Sequence, residues 1–88
     1  MSLENWLKSP KNRRLFAQEG LILEASEAIW KELNERKMNQ VELSRLLGRS
    51  EAYVSQLLDG SRNMTLRTLA DIAHVLDMDV KISLEKRQ

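Results

Sequence analysis

The sequence predicts an all-α fold that ends in one short β-strand. Only three glycines and one proline occur among the 88 residues, so few positions interrupt a helix. Apolar residues recur at steps of three and four along most of the chain, which is the spacing of helices with one buried face. The chain is 42% hydrophobic but only 5% aromatic, and its length fits one domain with an aliphatic core.

The first long helix is predicted over residues 11–37. Ser9 is a good N-cap, and Pro10 suits the first helical position because its missing N–H would have no partner there. Gly20 is the one internal weakness of this helix. Trp30 is expected to be a half-buried packing residue. The buried face is marked by apolar residues three and four apart, namely Ile22, Ala25, Ile29 and Leu33.

Residues 40–59 predict two short helices that cross at a steep angle. Asn39 and Ser50 are the N-caps of these helices. Gly48 lies at the turn between them, where a left-handed backbone is favourable only without a Cβ. Ser44 is the small residue at their closest approach, and the apolar contacts are Leu43, Leu47, Val54 and Leu57. Such a pair forms a helix-turn-helix, whose second helix enters the DNA major groove.

A fourth helix is predicted after the polar loop at residues 61–63. Thr65 is its N-cap. Leu69 is expected to belong to the core, because its place in the motif and the helical spacing agree. The apolar positions of this helix are Leu66, Leu69, Ala70, Ala73 and Leu76.

Residues 79–85 alternate apolar and polar side chains, which is the pattern of a β-strand. A lone strand leaves its backbone groups unpaired, so it needs a partner. The simplest partner is the same strand of a second copy, which predicts a two-fold homodimer with Val80, Ile82 and Leu84 as dimerisation residues. The alternative is a C-terminal tail that lies along its own domain.

Residues 39–76 carry a longer motif: an N-cap followed by Gln, E-L, a turn glycine, S-x-x-x-V-S-Q, a second glycine, an R-N loop and T-L-x-T-L-A-x-I-A-x-x-L. With its flanking helices this stretch resembles the XRE family, the group of lambda-type phage repressors and Cro. The resemblance implies a lambda-repressor-like five-helix DNA-binding domain at residues 21–78. A helical extension at residues 1–20 would precede this domain, and a strand and dimerisation tail at residues 79–88 would follow it.

Two residues depart from the family pattern. Arg49 stands at a position that is usually apolar, where we expect it to add a cation near the phosphates. Leu58 stands where the family often has an acidic residue, and we expect it to extend an apolar patch.

The N-terminal extension and the short chain also resemble HigA-type antitoxins, which repress their own operon and neutralise a ribosome-dependent RNase toxin. This resemblance implies a repressor with a toxin protein as a second partner. A phage or prophage-type repressor is the alternative. Trp6 and Phe16 lie in the extension, where they form either a docking surface for a toxin or second protomer, or a local cap over the first helix.

The register of the motif places the base contacts on the second helix of the helix-turn-helix. Gln56 can pair with adenine N6 and N7, and Ala52 can pack on a thymine methyl group. Glu51 can accept from cytosine N4, although nearby phosphates repel its carboxylate. Tyr53 offers a ring and a hydroxyl group. The alternatives are a solvated surface role for Gln56 and packing on the first helix for Tyr53.

Phosphate contacts are expected at the helix N-termini and in the loop after the second helix. Gln40 and Ser50 suit phosphate oxygens because backbone N–H groups point outward there. Arg62 and Asn63 resemble the family's phosphate contacts, and Arg49 is expected to join them. The complete predicted DNA-binding set is Gln40, Arg49, Ser50, Glu51, Ala52, Tyr53, Ser55, Gln56, Arg62 and Asn63.

Enzymatic and membrane functions are not expected. The chain has no cysteine and one histidine, His74, so neither a histidine-based triad nor a His/Cys metal site can be assembled, and no cofactor is predicted. No apolar run approaches the ~18 residues of a membrane span. The N-terminus lacks the apolar stretch of a signal peptide, and together with the absence of cysteine this predicts a cytoplasmic protein. The family resemblance implies a bacterial or phage origin and association with the nucleoid when the protein is bound to DNA.

The net charge of +1 is a weak footprint for a protein that binds nucleic acid. If double-stranded DNA is the partner, each copy neutralises few phosphates. A homodimer on a near-palindromic operator would then supply the rest. The weak charge and Glu51 also favour a second hypothesis, a protein-interaction module that keeps the fold without the DNA function.

Overall fold

The computed structural model describes residues 2–87, and in that part of the chain all regular secondary structure is helical. The all-α prediction is therefore confirmed. Met1 and Gln88, which end the predicted terminal segments, lie outside the described residues. The helices are α1 (Leu3–Trp6), α2 (Pro10–Glu35), α3 (Gln40–Leu47), α4 (Glu51–Leu58) and α5 (Leu66–Val75).

Each of the four longer helices begins directly after the residue that the sequence predicts as its N-cap. The capping side chain accepts a hydrogen bond from the backbone N–H three residues on, which satisfies one of the free donors of the first turn. The donor–acceptor distances are 3.4 Å at Ser9, 2.9 Å at Asn39, 3.1 Å at Ser50 and 3.1 Å at Thr65. These bonds fix where the chain enters α2, α3, α4 and α5.

The four longer helices are each followed by a residue in the left-handed conformation, which is Gly60 after α4. Gly48 has φ 67°, Lys37 has φ 55° and Asp77 has φ 57°. At Gly48, the residue's N–H bonds to the Arg45 carbonyl at 3.2 Å, and the next N–H reaches the Ser44 carbonyl at 3.0 Å. These two bonds make a Schellman motif, which satisfies the free carbonyls at the end of α3. The predicted turn of the helix-turn-helix is confirmed.

The core lies where α3 and α4 cross and where α2 and α5 cover them. Its buried apolar side chains are Ile29, Leu33, Leu43, Val54, Leu57, Leu58, Ile72 and Leu76. Ser44 is buried at the crossing, and its hydroxyl group donates to the Val41 carbonyl at 2.6 Å. Leu47 and Leu69, predicted as core, are partly buried and pack against it, as does Trp30. Leu66 is exposed, because the first residue of α5 faces solvent.

Leu58 is not the exposed residue that the sequence analysis expected. It is buried in the core cluster, because the end of α4 packs against α2. There it borders a shallow cavity together with Ile22, Leu23 and Ser26. An acidic residue would lose hydration at this position, so the departure from the family pattern matches its apolar surroundings.

The predicted C-terminal strand is absent: residues 79–87 have no regular secondary structure. No second extended segment exists among residues 2–87 with which it can form a ladder, and an unpaired strand is not stable. Val80 borders a groove on α5, so the start of this segment lies along its own domain. Beyond it, Ile82 is 69% exposed and Leu84 is 99% exposed.

The helix α2 is much longer than the core that it covers. Its 26 residues span about 39 Å at the usual rise per residue, close to the longest dimension of the molecule, 43 Å. Only Ser26, Ile29 and Leu33 of this helix are buried. The boundary predicted at residue 20 lies inside α2, and the helix passes through it without a break.

The short helix α1 folds back on the start of α2. Asn12 Nδ2 donates to the Trp6 carbonyl at 2.8 Å, and Arg13 Nη1 donates to the carbonyls of Leu7 and Lys8 at 3.0 Å each. Trp6 is half-buried, which agrees with the local-cap alternative, whereas Phe16 is 52% exposed.

Candidate nucleic-acid interface

The outer face of α4 is open to solvent, as the register predicts. Glu51, Ala52 and Gln56 are exposed, and Tyr53 and Ser55 are half-buried. The opposite face of the helix carries the buried residues Val54, Leu57 and Leu58. The helix is therefore held to the domain by one side only, and its other side is free to enter a groove.

Two arginines lie over the ring of Tyr53. The guanidinium carbon of Arg49 is 3.8 Å from the ring centroid, and that of Arg62 is 4.9 Å from it. A guanidinium group over an aromatic face is attracted by the ring quadrupole, by about 0.5–1 kcal/mol at an exposed site. The ring thus holds two positive charges beside α4, and its attraction for each guanidinium group offsets part of the repulsion between them.

Arg62 also binds Gln56. Its Nε donates to Gln56 Oε1 at 3.1 Å, and its Nη2 donates to the same oxygen at 2.8 Å. The backbone N–H of Arg62 donates to the Gln56 carbonyl at 3.1 Å. Three hydrogen bonds therefore join Arg62, in the loop after α4, to Gln56 of that helix. We call Arg49, Tyr53, Gln56 and Arg62 the guanidinium cluster.

A tight turn places Arg62 in this cluster. Gly60 has φ 81°, which reverses the chain after α4. Ser61 N donates to Asp59 Oδ1 at 2.8 Å, and Ser61 Oγ donates to the Gln56 carbonyl at 3.4 Å. Hydrogen bonds from Ser61, first from its side chain and then from its backbone, lower the pKa of the Asp59 carboxyl group. The ionised Asp59 carboxylate accepts the bond from the Ser61 backbone N–H and so supports this turn.

Among the residues that the structure describes, the other predicted DNA-binding residues do not form hydrogen bonds with the side chains of the cluster. Gln40 is the first residue of α3, and Ser50 is the N-cap of α4, so both are at helix N-termini as expected. Asn63 is exposed in the loop after Arg62. Within residues 2–87, no side-chain hydrogen bond joins the cluster side chains to Gln40, Glu51, Ala52, Ser55 or Asn63.

The sequence predicts the members of the cluster but not their contacts with one another. Arg49 directly precedes Ser50, the N-cap of α4, and the residue at that place lies close to the first turn of the helix, which contains Tyr53. Arg62 reaches both Tyr53 and Gln56 only because the turn at residues 59–61 directs the chain back toward α4. The spacing of residues in the sequence does not predict this turn. Tyr53 packs against the core cluster, to which α2 contributes Ile29 and Leu33, and it also contacts two guanidinium groups.

No group of three or more histidine, cysteine, aspartate or glutamate side chains among residues 2–87 is placed to hold a metal ion. Over those residues, no helix combines the length and the apolar character needed to cross a bilayer.

Comparison with known proteins agrees with this geometry. The family model described as the Cro/C1-type HTH DNA-binding domain matches residues 28–81, which is more than half of the chain. The matched region contains the C-terminal part of α2 and all of α3, α4 and α5. Neither the curated proteins nor the solved structures gave a significant match.

Proposed function

The chain belongs to the Cro/C1-type HTH DNA-binding family, and from that membership we propose that this DNA-binding regulator is a sequence-specific transcriptional repressor. The observation that carries the proposal is the exposed face of α4 with the guanidinium cluster at its edge. The face has the size and shape that a major groove accepts, and the cluster supplies cations for the phosphates beside it. Repression would follow when the bound protein occludes a promoter.

We propose a homodimer as the DNA-binding form. The net charge of +1 per chain is small for a protein that must hold a polyanion. Two copies related by a two-fold axis would place their α4 helices in successive major grooves, roughly 34 Å apart, on a near-palindromic operator. The exposed apolar residues Val80, Ile82 and Leu84 support a contact between copies through the C-terminal segment.

We also propose that the protein is the antitoxin of a toxin–antitoxin pair, in preference to a phage or prophage-type repressor. Its support is the uncovered part of α2, where Leu15, Phe16 and Leu23 are exposed on a helix that extends beyond the core. Apolar side chains grouped in this way suit a protein partner. Co-expression with the adjacent open reading frame tests this role. If that frame arrests growth and this chain does not restore it, the antitoxin role is wrong.

An electrophoretic shift on the DNA upstream of the protein's own gene tests the repressor function. We expect binding at low salt, with log K falling linearly as log salt rises. Arg49→Ala should reduce the slope by about one per protomer, because one phosphate contact is lost. Arg67→Ala is a matched control, since it removes the same charge outside the cluster. Absence of any shift at low salt would contradict DNA-binding repression.

A protein-interaction module without DNA function is the competing hypothesis, and Glu51 favours it. This carboxylate lies in the first turn of α4, where DNA phosphates would repel it. The same shift experiment with Glu51→Gln separates the two functions. A repressor should bind DNA at least as tightly after this change, whereas an interaction module should bind in neither form. We propose no catalytic role, since His74 is the single histidine and is exposed.

A further inference from the structure

Arg62 saturates the amide oxygen of Gln56. That oxygen has two lone pairs, and it accepts one hydrogen bond from Arg62 Nε at 3.1 Å and one from Nη2 at 2.8 Å. Gln56 is therefore left with its amide N–H groups, which only donate. Arg62 also retains N–H groups that are not used by Gln56, and arginine has no acceptor. The pair thus presents hydrogen-bond donors to its surroundings and no free acceptor.

This arrangement is held in place before any ligand arrives. The Arg62 guanidinium lies over the Tyr53 ring at 4.9 Å, and its backbone N–H is bonded to the Gln56 carbonyl. The turn closed by Ser61 and Asp59 fixes the path of the loop. A phosphate-binding arginine in a loop would be free to follow the DNA backbone, whereas Arg62 is fixed to the helix that faces the bases.

We propose that Gln56 and Arg62 act together as a guanine-reading unit in the major groove. Guanine presents two neighbouring acceptors there, N7 and O6, which match a surface made only of donors. Adenine presents an acceptor at N7 but a donor at N6, so its N6 group would face another donor. The adenine pairing expected for a free glutamine needs the amide oxygen that Arg62 occupies. This assignment rests on the proposed function, because it requires that α4 enters the groove.

Selection from a pool of double-stranded DNA with a randomised central segment tests the assignment. The full chain would be used as wild type and as three variants: Arg62→Lys, Gln56→Ala and the control Arg67→Lys. Lysine keeps the positive charge but has no planar pair of donors for the Gln56 oxygen. Arg62→Lys should therefore release that oxygen and allow the bidentate pairing with adenine. The thermal midpoint of each variant would be measured to confirm that all four proteins are folded.

The wild type should select guanine at the base pair where Gln56→Ala loses its preference. At that base pair, Arg62→Lys should shift the guanine-to-adenine ratio toward adenine by about tenfold or more, the effect of one bidentate contact. Arg67→Lys should leave the ratio unchanged. These results together would support the guanine-reading unit.

The possible failures are distinct. If the wild type binds no DNA at low salt, the proposed function itself is wrong. If it binds DNA and selects adenine at the Gln56-dependent base pair, the repressor function stands and the guanine assignment is overturned. If guanine stays selected to the same extent in Arg62→Lys, whether or not the affinity for all sequences falls, Arg62 does not determine the base that is read, and the assignment is likewise overturned.

Discussion

Arg49 stands where related sequences usually have an apolar residue, and its contact with Tyr53 explains how the fold accepts it. The guanidinium lies 3.8 Å from the centre of the Tyr53 ring, outside the buried core. Its charge stays exposed while its planar face covers the aromatic surface. The substitution therefore adds a cation at the edge of α4 without placing a charge among the buried leucines.

Tyr53 should position both arginines through its ring and not through its hydroxyl group. Tyr53→Phe keeps the ring quadrupole, so affinity for the cognate DNA should change little. Tyr53→Leu keeps apolar contact with the core but removes the quadrupole, and should weaken binding by about 1 kcal/mol. Titration of labelled operator DNA with each variant measures the effect. Equal affinities of the leucine and phenylalanine variants would show that the cation–π contacts do not contribute.

Gln56→Ala should remove base discrimination and leave general DNA affinity intact. The loss on cognate DNA should be about 1–3 kcal/mol, the value of one bidentate base contact. Binding to random-sequence DNA should not change, because that binding depends on phosphate contacts. Competition assays with both DNAs measure the two effects. A solvated surface residue, the alternative for Gln56, would give no loss on either DNA.

Single residues of the core were predictable where two sequence patterns coincide. Leu43, Val54 and Leu57 satisfy both the helix-turn-helix register and the helical spacing, and all three are buried. The Arg62–Gln56 contact was not predictable, because it joins a helix to a loop whose path depends on the left-handed Gly60 and the hydrogen bonds of Ser61. Long-range geometry of this kind has no periodic signal in the sequence.

Helix boundaries were predictable because they depend on local chemistry. A serine, threonine or asparagine side chain that caps a helix reaches only three residues ahead, so its effect is visible in a short stretch of sequence. The C-terminal strand shows the opposite case. Its alternation is equally local, but a strand exists only through hydrogen bonds to another strand, and residues 2–87 contain none. The alternation indicates a tendency to form a strand, but no strand forms because residues 2–87 contain no second strand to pair with it.

Two glycine-to-alanine substitutions should have opposite effects on stability. Gly20 lies inside α2, and an added Cβ would meet nothing within 4 Å. Gly20→Ala should therefore raise the free energy of unfolding by about 0.5–1 kcal/mol. Gly48 has equally open surroundings but φ 67°. Gly48→Ala should lower the free energy of unfolding by about 1–2 kcal/mol, through the backbone alone.

Chemical denaturation followed by circular dichroism measures both glycine variants, and each serves as the control for the other. If both substitutions change the free energy of unfolding in the same direction, the effects cannot be assigned to backbone conformation.

At the scale of the whole molecule, the surfaces of α4 and of the N-terminal half of α2 expose different kinds of side chain. The exposed face of α4 belongs to the matched family region, residues 28–81, and carries the cationic cluster. The N-terminal half of α2 lies before that region and carries exposed apolar side chains. The guanidinium cluster and these exposed apolar side chains thus lie on different parts of the chain, which suits a protein that binds DNA through one surface and a protein through another.

The low charge of a single chain makes dimerisation the property on which DNA binding should depend most. Deletion of residues 80–88 should convert dimers to monomers, as measured by sedimentation equilibrium, because it removes Val80, Ile82 and Leu84 together. It should also abolish the operator shift at physiological salt. Two matched point variants test the same segment without truncation. Ile82→Asp replaces an exposed apolar side chain with a charge, and Ser83→Asp places the same charge at the neighbouring polar position.

Ile82→Asp should weaken the dimer more than Ser83→Asp, since of these two positions only Ile82 offers an exposed apolar side chain. If both variants and the deletion remain dimeric, the C-terminal segment is not the interface. The exposed residues of α2 would then be the next surface to change, with Phe16→Asp as the test, because Phe16 lies on a part of α2 that the core leaves uncovered.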